Sequence, residues 1–221
     1  FNNGSANIDG STINANTVAG FDFLAGIGGG IFNTYQANLT LTNSTLSGNV
    51  AMVSDGAYPL GGAGLYNEGI TELSSVTLTG NNPDGLYSGL PGIEGEPVGP
   101  PAAKLKNTLI AGNTIADCSG STILSMGSNL DGDDTCGLTS PGDLPGLDPR
   151  LGPLASNGGS TQTHALLSGS PAIDQGGSCM ATDQRGYPRP RLDGGACDIG
   201  AYEVDSANIN IPQPTATPAS T

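Results

Sequence analysis

The stretch Ser44–Asn49 (STLSGN) decides the fold, because close copies of it recur along the chain. The copies are 11–16 (STINAN), 76–81 (VTLTGN) and 108–113 (TLIAGN). Their closing asparagines are separated by 33, 32 and 32 residues. A fixed period of this size, built from β-forming residues without helical periodicity, is typical of a stacked solenoid. Unrelated hairpin turns are the alternative, and they would not keep this spacing across four copies.

The closing asparagines suit tight corners, because Asn tolerates the left-handed backbone region. When such residues stack at the strand spacing of roughly 4.8 Å, their amides can hydrogen-bond along the stack. The sequence therefore predicts a ladder of Asn16, Asn49, Asn81 and Asn113. A second set of asparagines falls 14 to 16 residues before these, at Asn2, Asn33 and Asn67. Each repeat is thus expected to contain at least two strands and two asparagine-marked corners.

The composition of the 221 residues also favours a solenoid. Charged residues make up 12%, aromatic residues 5%, and Trp is absent, whereas Gly (36) and Pro (16) are abundant. These residues suit a narrow interior of short stacked side chains better than a globular helical core. The net charge of -14 argues against electrostatic binding to nucleic acid or anionic lipid and suits cations. No apolar stretch is long enough to span a membrane.

Four cysteines form two local pairs along the sequence, Cys118 with Cys136 and Cys179 with Cys197. Of the three connectivities that four cysteines allow, we predict this sequential one. The alternative is four free thiols in a cytosolic protein. Two disulfides indicate an oxidising compartment, so the protein is expected to be exported, and extracellular or at the cell surface.

The chain divides into three parts by composition. Residues 1–147 carry the repeats, interrupted by a Gly-, Pro- and Glu-rich stretch at 83–103 that predicts a long surface loop. Residues 148–204 predict a loop-rich end piece of the same body, and 205–221 an extended strand followed by a Pro- and Thr-rich tail. Because the chain begins within a repeat, we expect a processed or partial product.

The second half of the chain resembles bacterial surface proteins of the choice-of-anchor Q class. The motifs that carry the resemblance are, in order, 107–113 (NTLIAGN), 117–118 (DC), 127–131 (GSNLD), 136–138 (CGL), 148–154 (DPRLGPL), 157–161 (NGGST), 163–166 (THAL), 169–174 (GSPAID), 182–186 (TDQRG), 189–190 (RP) and 197–203 (CDIGAYE). The resemblance implies an all-β fold, a right-handed parallel β-helix that is exported and held at the cell surface. It implies no known catalytic activity. Neither a sortase-type motif nor an apolar tail follows Glu203, so this chain departs from the class in its anchor.

A few polar residues are candidates for chemistry. Asp131, Asp133 and Asp134 form a weak calcium candidate, because hard oxygen ligands at short spacing suit that ion, although a full calcium loop is lacking. A solvated acidic turn is the alternative. His164, the only histidine, lies in an alternating segment that is typical of structure.

Two arginines of the end piece lie close in sequence to carboxylates. Arg185 and Arg189 are near Asp183 and Asp198, which suits loop-stapling ion pairs. Alternatively, the guanidinium group of one of these arginines could bind the carboxylate of a substrate.

Three classes of function compete. Polyuronate lyases and polysaccharide hydrolases need a basic residue or converging carboxylates, and the repeats offer only Lys104 and Lys106 without a matching acidic set. A glycan-binding or adhesive module could use tyrosine rings as stacking platforms, from Tyr35, Tyr58, Tyr66 and Tyr87. A non-enzymatic structural protein of the cell surface, without a cofactor, is the favoured hypothesis.

The ends of the repeats also suggest self-association. A first repeat without a cap presents unpaired strand groups and open apolar surface, here at Phe1, Ile8 and Ile13. Residues 207–211 alternate apolar and polar, with Ile209 and Ile211 apolar, as in a lone strand that can add to a neighbour. We therefore expect copies to associate head to tail into a filament or surface layer. Folding of this strand back on its own chain is the alternative.

Overall fold

The computed structural model describes residues 1–20, 26–52, 61–89, 102–120, 123–190 and 195–204. These residues form 19 β-strands and no helix. No helix long and apolar enough to cross a membrane is therefore found among them. The predicted all-β class is confirmed, and most strands pair in parallel.

A five-stranded parallel sheet takes one strand from each repeat. Its strands, in spatial order, are β1 (Ser5–Asp9), β5 (Asn38–Thr42), β9 (Ile70–Ser74), β12 (Ala102–Lys106) and β15 (Ile123–Ser125). Paired residues are separated by 33, 32 and 32 residues and, between Ala103 and Ile123, by 20. The period seen in the sequence is therefore the number of residues between paired positions of neighbouring strands.

A six-stranded sheet contains the quoted motif and its copies. Its strands are β2 (Thr12–Asn14), β6 (Thr45–Ser47), β10 (Thr77–Thr79), β13 (Leu109–Ala111), β16 (Leu130–Asp131) and β17 (Leu144–Pro145). All pairs are parallel, and the middle residues Ile13, Leu46, Leu78 and Ile110 lie in register.

The remaining strands form one larger and two smaller sheets. A four-stranded parallel sheet holds β4 (Ile31–Asn33), β8 (Leu65–Asn67), β11 (Asp84–Ser88) and β14 (Ala116–Gly120). The parallel pair is β3 (Thr17–Ala19) with β7 (Val50–Met52), and the antiparallel pair is β18 (Leu151–Ala155) with β19 (Thr163–Leu166).

The three larger sheets face a common apolar core. Alternate residues of each strand point into it, as the period of two requires, for example Leu41 and Leu73 of the five-stranded sheet, Leu78 of the six-stranded sheet, and Leu65 and Leu86 of the four-stranded sheet. Each of these side chains is at most 1% exposed. The interior is filled mainly by leucine side chains stacked in register.

Two local expectations are corrected. Glycine, with no Cβ to clash, takes the left-handed conformation at the corners before the ladder asparagines, with φ between 63° and 69° at Gly48, Gly80 and Gly112. Part of the predicted 83–103 loop is strand β11, which Pro83 and Gly85 concealed.

Candidate functional site: amide ladders, capped end and docked end piece

The four asparagines that close the repeats form one hydrogen-bonded chain. The side-chain amide of Asn16 donates to Asn49 Oδ1, that of Asn49 to Asn81 Oδ1, and that of Asn81 to Asn113 Oδ1, each at 3.0 Å. The same oxygens accept the backbone N–H of the preceding asparagine at 2.9–3.2 Å. Asn49 and Asn81 are completely buried. Each therefore ties three repeats together.

The ladder has a direction, and an aspartate ends it. Asn113 donates both its backbone N–H, at 3.1 Å, and its side-chain amide, at 2.8 Å, to Asp117 Oδ1. A carboxylate accepts without needing a further acceptor of its own. In the same way, Asn129 donates its backbone and side-chain N–H groups to Asp143 Oδ1. The acidic residues therefore terminate rows of amides.

A second ladder runs along the corner that follows the four-stranded sheet. The amide of Asn2 donates to Asn33 Oδ1 and that of Asn33 to Asn67 Oδ1, both at 2.8 Å, and Asn67 donates to Ser88 Oγ at 3.1 Å. Asn33 and Asn67 are completely buried. The first three repeats thus have an asparagine at two corners, and Ser88 takes this position in the fourth.

Both predicted disulfides are present. Cys118 is bonded to Cys136, with Cα atoms 4.8 Å apart, and Cys179 to Cys197, with Cα atoms 6.2 Å apart. The first joins β14, an edge strand, to the turn that follows β16. Cys136 and Leu138 belong to the central core and are 6% and 5% exposed, so this turn closes the interior at one end.

Side chains of the same turn bind backbone amides of the edge strand. Asp133 Oδ2 accepts the N–H of Asp117 at 3.1 Å, and Thr135 Oγ1 accepts that of Cys118 at 2.9 Å. These oxygens replace the carbonyls of a further strand. We call residues 131–143, with Asp117, the cap.

The aspartates that the structure brings together differ from the calcium candidate of the sequence. Asp117, Asp131 and Asp133 have carboxylate oxygens within 4.8 Å of one another, whereas Asp134 is exposed and is not in the group. All three accept backbone N–H groups; Asp131, for instance, accepts those of Cys136 at 2.7 Å and Asp133 at 3.3 Å. Burial raises the pKa of Asp131 to about 6. The geometry shows a role in closing the turn.

The opposite edge carries the residues predicted for self-association. Phe1 is 84% exposed, with its ring 5.5 Å from that of Phe32. Ile8 and Ile13 are half-buried against the central core, so their side chains point inwards. Ile209 and Ile211 lie outside the described residues.

The end piece packs on the outer face of the six-stranded sheet. At one side the contact is apolar, because Leu109, Ala111 and Leu130 point outwards and form a second core with residues of the end piece. Those residues include Leu166, Ala172, Ile199 and Tyr202. Two backbone contacts fix the position: the N–H of Gly200 donates to the Asn107 carbonyl at 2.8 Å, and that of Ala201 to Thr77 Oγ1 at 3.0 Å.

At the other side of the same face the contact is polar and centres on Gln184, which is 5% exposed. Its Oε1 accepts the hydroxyl of Thr45 at 2.6 Å, and its amide donates to Thr12 Oγ1 and Thr161 Oγ1, both at 2.9 Å. Gln184 therefore joins β2 and β6 to the end piece.

His164 lies beside this contact. Its Nδ1 is 2.7 Å from the Gly152 carbonyl, which requires a proton on Nδ1, and its Nε2 then accepts the hydroxyl of Ser47 at 2.9 Å. Burial lowers the pKa of His164, which favours this neutral form. Ser47 is 7% exposed, so the pair serves here as a contact between β19 and β6.

The arginines are buried in ion pairs within the end piece. Arg185 binds Asp183, with Nε 2.8 Å from Oδ2, and its guanidinium lies over the ring of Tyr202 at 3.7 Å. Arg189 Nε lies 3.7 Å from Glu203 Oε2, so its nearest carboxylate is that of Glu203, not of Asp198 as the sequence suggested. Arg185 and Arg189 are 8% and 7% exposed, which leaves no open fork for a substrate carboxylate.

Two of the four tyrosines proposed as stacking platforms, Tyr66 and Tyr87, pack on one another. Tyr66 is 1% exposed, and its ring stacks on that of Tyr87 with centroids 4.4 Å apart. Tyr35 is 48% exposed, and Tyr58 lies outside the described residues.

Sequence reasoning missed Asp117 and Gln184. Asp117 follows Asn113 by four residues and so falls outside the 32-residue period. Gln184 lies in the motif 182–186, but nothing in that motif indicates a contact with β2 and β6. Comparisons with protein-family models, curated proteins and solved structures find no match to this chain.

Proposed function

We propose that this protein is a non-enzymatic structural protein that is exported to the cell surface. We further propose that its repeats form a right-handed parallel β-helix. The observation that carries the proposal is that polar side chains are engaged in hydrogen bonds within the protein itself. Carboxylates and amides that could serve chemistry are instead hydrogen-bonded to backbone groups or to one another within the ladders, the cap and the end piece.

The β-helix is supported by the pairing of the repeats. Strands 32 or 33 residues apart pair in parallel in both the five- and the six-stranded sheet, and these sheets share one core with the four-stranded sheet. A chain that returns to each sheet after one period describes a coil. The right hand follows the handedness of nearly all parallel crossovers.

Location outside the cytoplasm is supported by the two disulfides, which persist in oxidising compartments. The resemblance to the choice-of-anchor Q class supports the same location. No cofactor is required.

The structural role includes self-association, and the edge of β1 is its surface. The N–H of Asn38 donates to the Gly4 carbonyl, and that of Gly10 donates to the Thr42 carbonyl. The backbone N–H and C=O groups of the even-numbered residues of β1 therefore point towards β5. Because bonding alternates along a parallel strand, the N–H and C=O of Asn7 face away from the sheet. Within the described residues, β1 pairs with β5 alone.

The connector in this proposal is the segment 207–211 of a neighbouring copy, which adds to that edge as a strand. It gives a head-to-tail contact that repeats without closing. Strand addition by this segment is favoured over stacking of the two ends, because the cap already binds the N–H groups of Asp117 and Cys118 on β14.

The test blocks the edge and removes the connector separately. Asn7→Pro removes one outward N–H without breaking a bond to β5, and proline is tolerated on strand edges. The matched control is Asn7→Ala, which keeps the N–H. Size-exclusion chromatography with light scattering, over a range of concentrations, should show assemblies for the wild type and the control. Asn7→Pro and a chain ending at residue 204 should give folded monomers.

Two results would contradict self-association at this edge. One is a wild-type chain that stays monomeric at the highest concentration. The other is assemblies of unchanged size in both the Asn7→Pro variant and the shortened chain.

A further inference from the structure

Among its described residues, the end piece contains a buried ionic cluster with more carboxylates than guanidiniums. Three carboxylates and two guanidiniums are each less than a tenth exposed, namely Asp183, Asp198, Glu203, Arg185 and Arg189. An unpaired buried charge is costly, whereas the protonated form of a carboxyl group avoids that cost. One carboxyl group of the cluster is therefore better buried without its charge.

The contacts identify that group as Asp198. Arg185 is taken by Asp183, and Arg189 is closest to Glu203 and also donates to the carbonyl of Gly200 at 2.8 Å. Within the described part of the chain, no ion pair includes Asp198.

The carboxyl oxygens of Asp198 accept two backbone N–H groups. That of Asp174 donates at 2.8 Å and that of Val204 at 2.5 Å. Burial raises the pKa of Asp198 to about 7. The two N–H bonds favour the charged form and oppose this rise, whereas the negative charges of Glu203 and Asp174 add to it.

Asp198 lies in the segment that docks the end piece. Its neighbours Ile199 and Tyr202 are in the second core, and the N–H groups of Gly200 and Ala201 bind Asn107 and Thr77 across the contact. The residues that meet this segment from the sheet are Thr77, Asn107 and Leu109, none of which titrates. Within the described residues, the charged groups that act on Asp198 come from the end piece: Glu203 and Asp174 act on its carboxyl group, and Arg189 interacts with it electrostatically.

We propose that the segment 197–204 is a proton-controlled clamp, in which protonated Asp198 holds the end piece on the six-stranded sheet and ionised Asp198 loosens it. The inference is independent of self-association, because the clamp lies within one chain. It assigns a regulatory role to a contact that otherwise serves stability alone.

The direction of the effect follows from linkage. In the opened segment Asp198 has its ordinary pKa and is ionised at both pH 6 and pH 8, whereas in the docked segment it loses its proton between these values. The docked state is thus favoured at pH 6, and the opening equilibrium should rise about tenfold by pH 8. Below pH 6, protonation of the buried His164 opposes docking, so the comparison is best made above that pH.

Hydrogen exchange of the full chain, corrected for the intrinsic pH dependence, measures the opening at the amides of Gly200 and Ala201. The wild type should lose about tenfold in protection between pH 6 and pH 8. Asp198→Asn should remove this dependence. Asp148→Asn, at an exposed aspartate, should keep it. Equal protection of the wild type at both pH values, or the same pH dependence in Asp198→Asn, would overturn the clamp.

Should the Asp198→Asn variant not fold, infrared spectroscopy of the folded wild type replaces it. The carbonyl band of a buried protonated carboxylic acid should be present at pH 6, and one component of it should titrate with a midpoint of about 7, above the pKa of about 6 of the buried Asp131. The absence of such a band at pH 6 overturns the proposal as well.

Discussion

Within the described residues, side chains of the cap accept the backbone N–H groups of Asp117 and Cys118 on the edge strand β14, whereas no strand pairs with β1 on the side away from β5. The interior is closed at the first end by Cys136 and Leu138. At the second edge, Ile8 and Ile13 are only half-buried. The stack of repeats therefore has different surroundings at its two ends.

The difference shows what stops a parallel sheet from accepting another strand. An unpaired edge offers alternating N–H and C=O groups to any passing strand. In the cap, Asp133 and Thr135 supply acceptors without supplying a strand, and a disulfide holds them in place. The cap is thus specific to one end, and the following predictions compare the two.

The largest effect is expected in the middle of the first ladder. Asn49→Ala removes the acceptor of Asn16 and the donor to Asn81 within a completely buried site, and should lower the free energy of unfolding by about 3 to 4 kcal/mol. Asn16→Ala, at the open edge, leaves one partner unsatisfied and should cost about 1 kcal/mol. Urea unfolding measures both, and equal losses would show that the ladder does not couple the repeats.

The next effect tests the disulfide of the cap. Replacing Cys118 and Cys136 together by alanine removes a cross-link over 18 residues and should cost about 3 kcal/mol. Because the cap covers β14, hydrogen exchange should rise there and stay unchanged in β1. Exchange that rises equally in both strands would mean that the disulfide stabilises the whole chain without closing one end.

The smallest effect concerns the residue that ends the ladder. Asp117→Asn places an NH₂ group against the N–H of Gly132, which now donates to Asp117 Oδ2 at 2.9 Å, and should cost about 1 to 3 kcal/mol. Asp134→Asn, in the exposed part of the same turn, is the matched control and should change the thermal midpoint little. Equal midpoints of the two variants would remove the case for Asp117 as a terminator.

The sequence predicted the features that repeat. The 32-residue period places Leu46, Leu78 and Ile110 in register, and four asparagines with that period lie along one corner. Features that occur once were harder to predict. The cap depends on Asp117 and Asp133, which approach one another only after the chain has turned through β15 and β16.

The docking of the end piece had a signal that could have been used. The motif alternates in β6 and β10, whereas β13 is apolar at all three positions, Leu109, Ile110 and Ala111. A strand that is apolar on both faces is buried on both faces. Its inward face meets the central core and its outward face the end piece. The polar contacts of Gln184 carry no such pattern, because they join residues about 140 to 170 positions apart.

The one-way bonding of the first ladder bears on how the length of this protein can change. Asn49 and Asn81 each accept from the repeat before and donate to the repeat after, so a duplicated 32-residue unit between them would meet the same partners. A unit added beyond Asp117 would meet an acceptor where it needs a donor. Repeats can therefore be inserted or lost on the Asn16 side of Asp117 without disturbing the ladder. The cap marks the end beyond which the ladder cannot be extended.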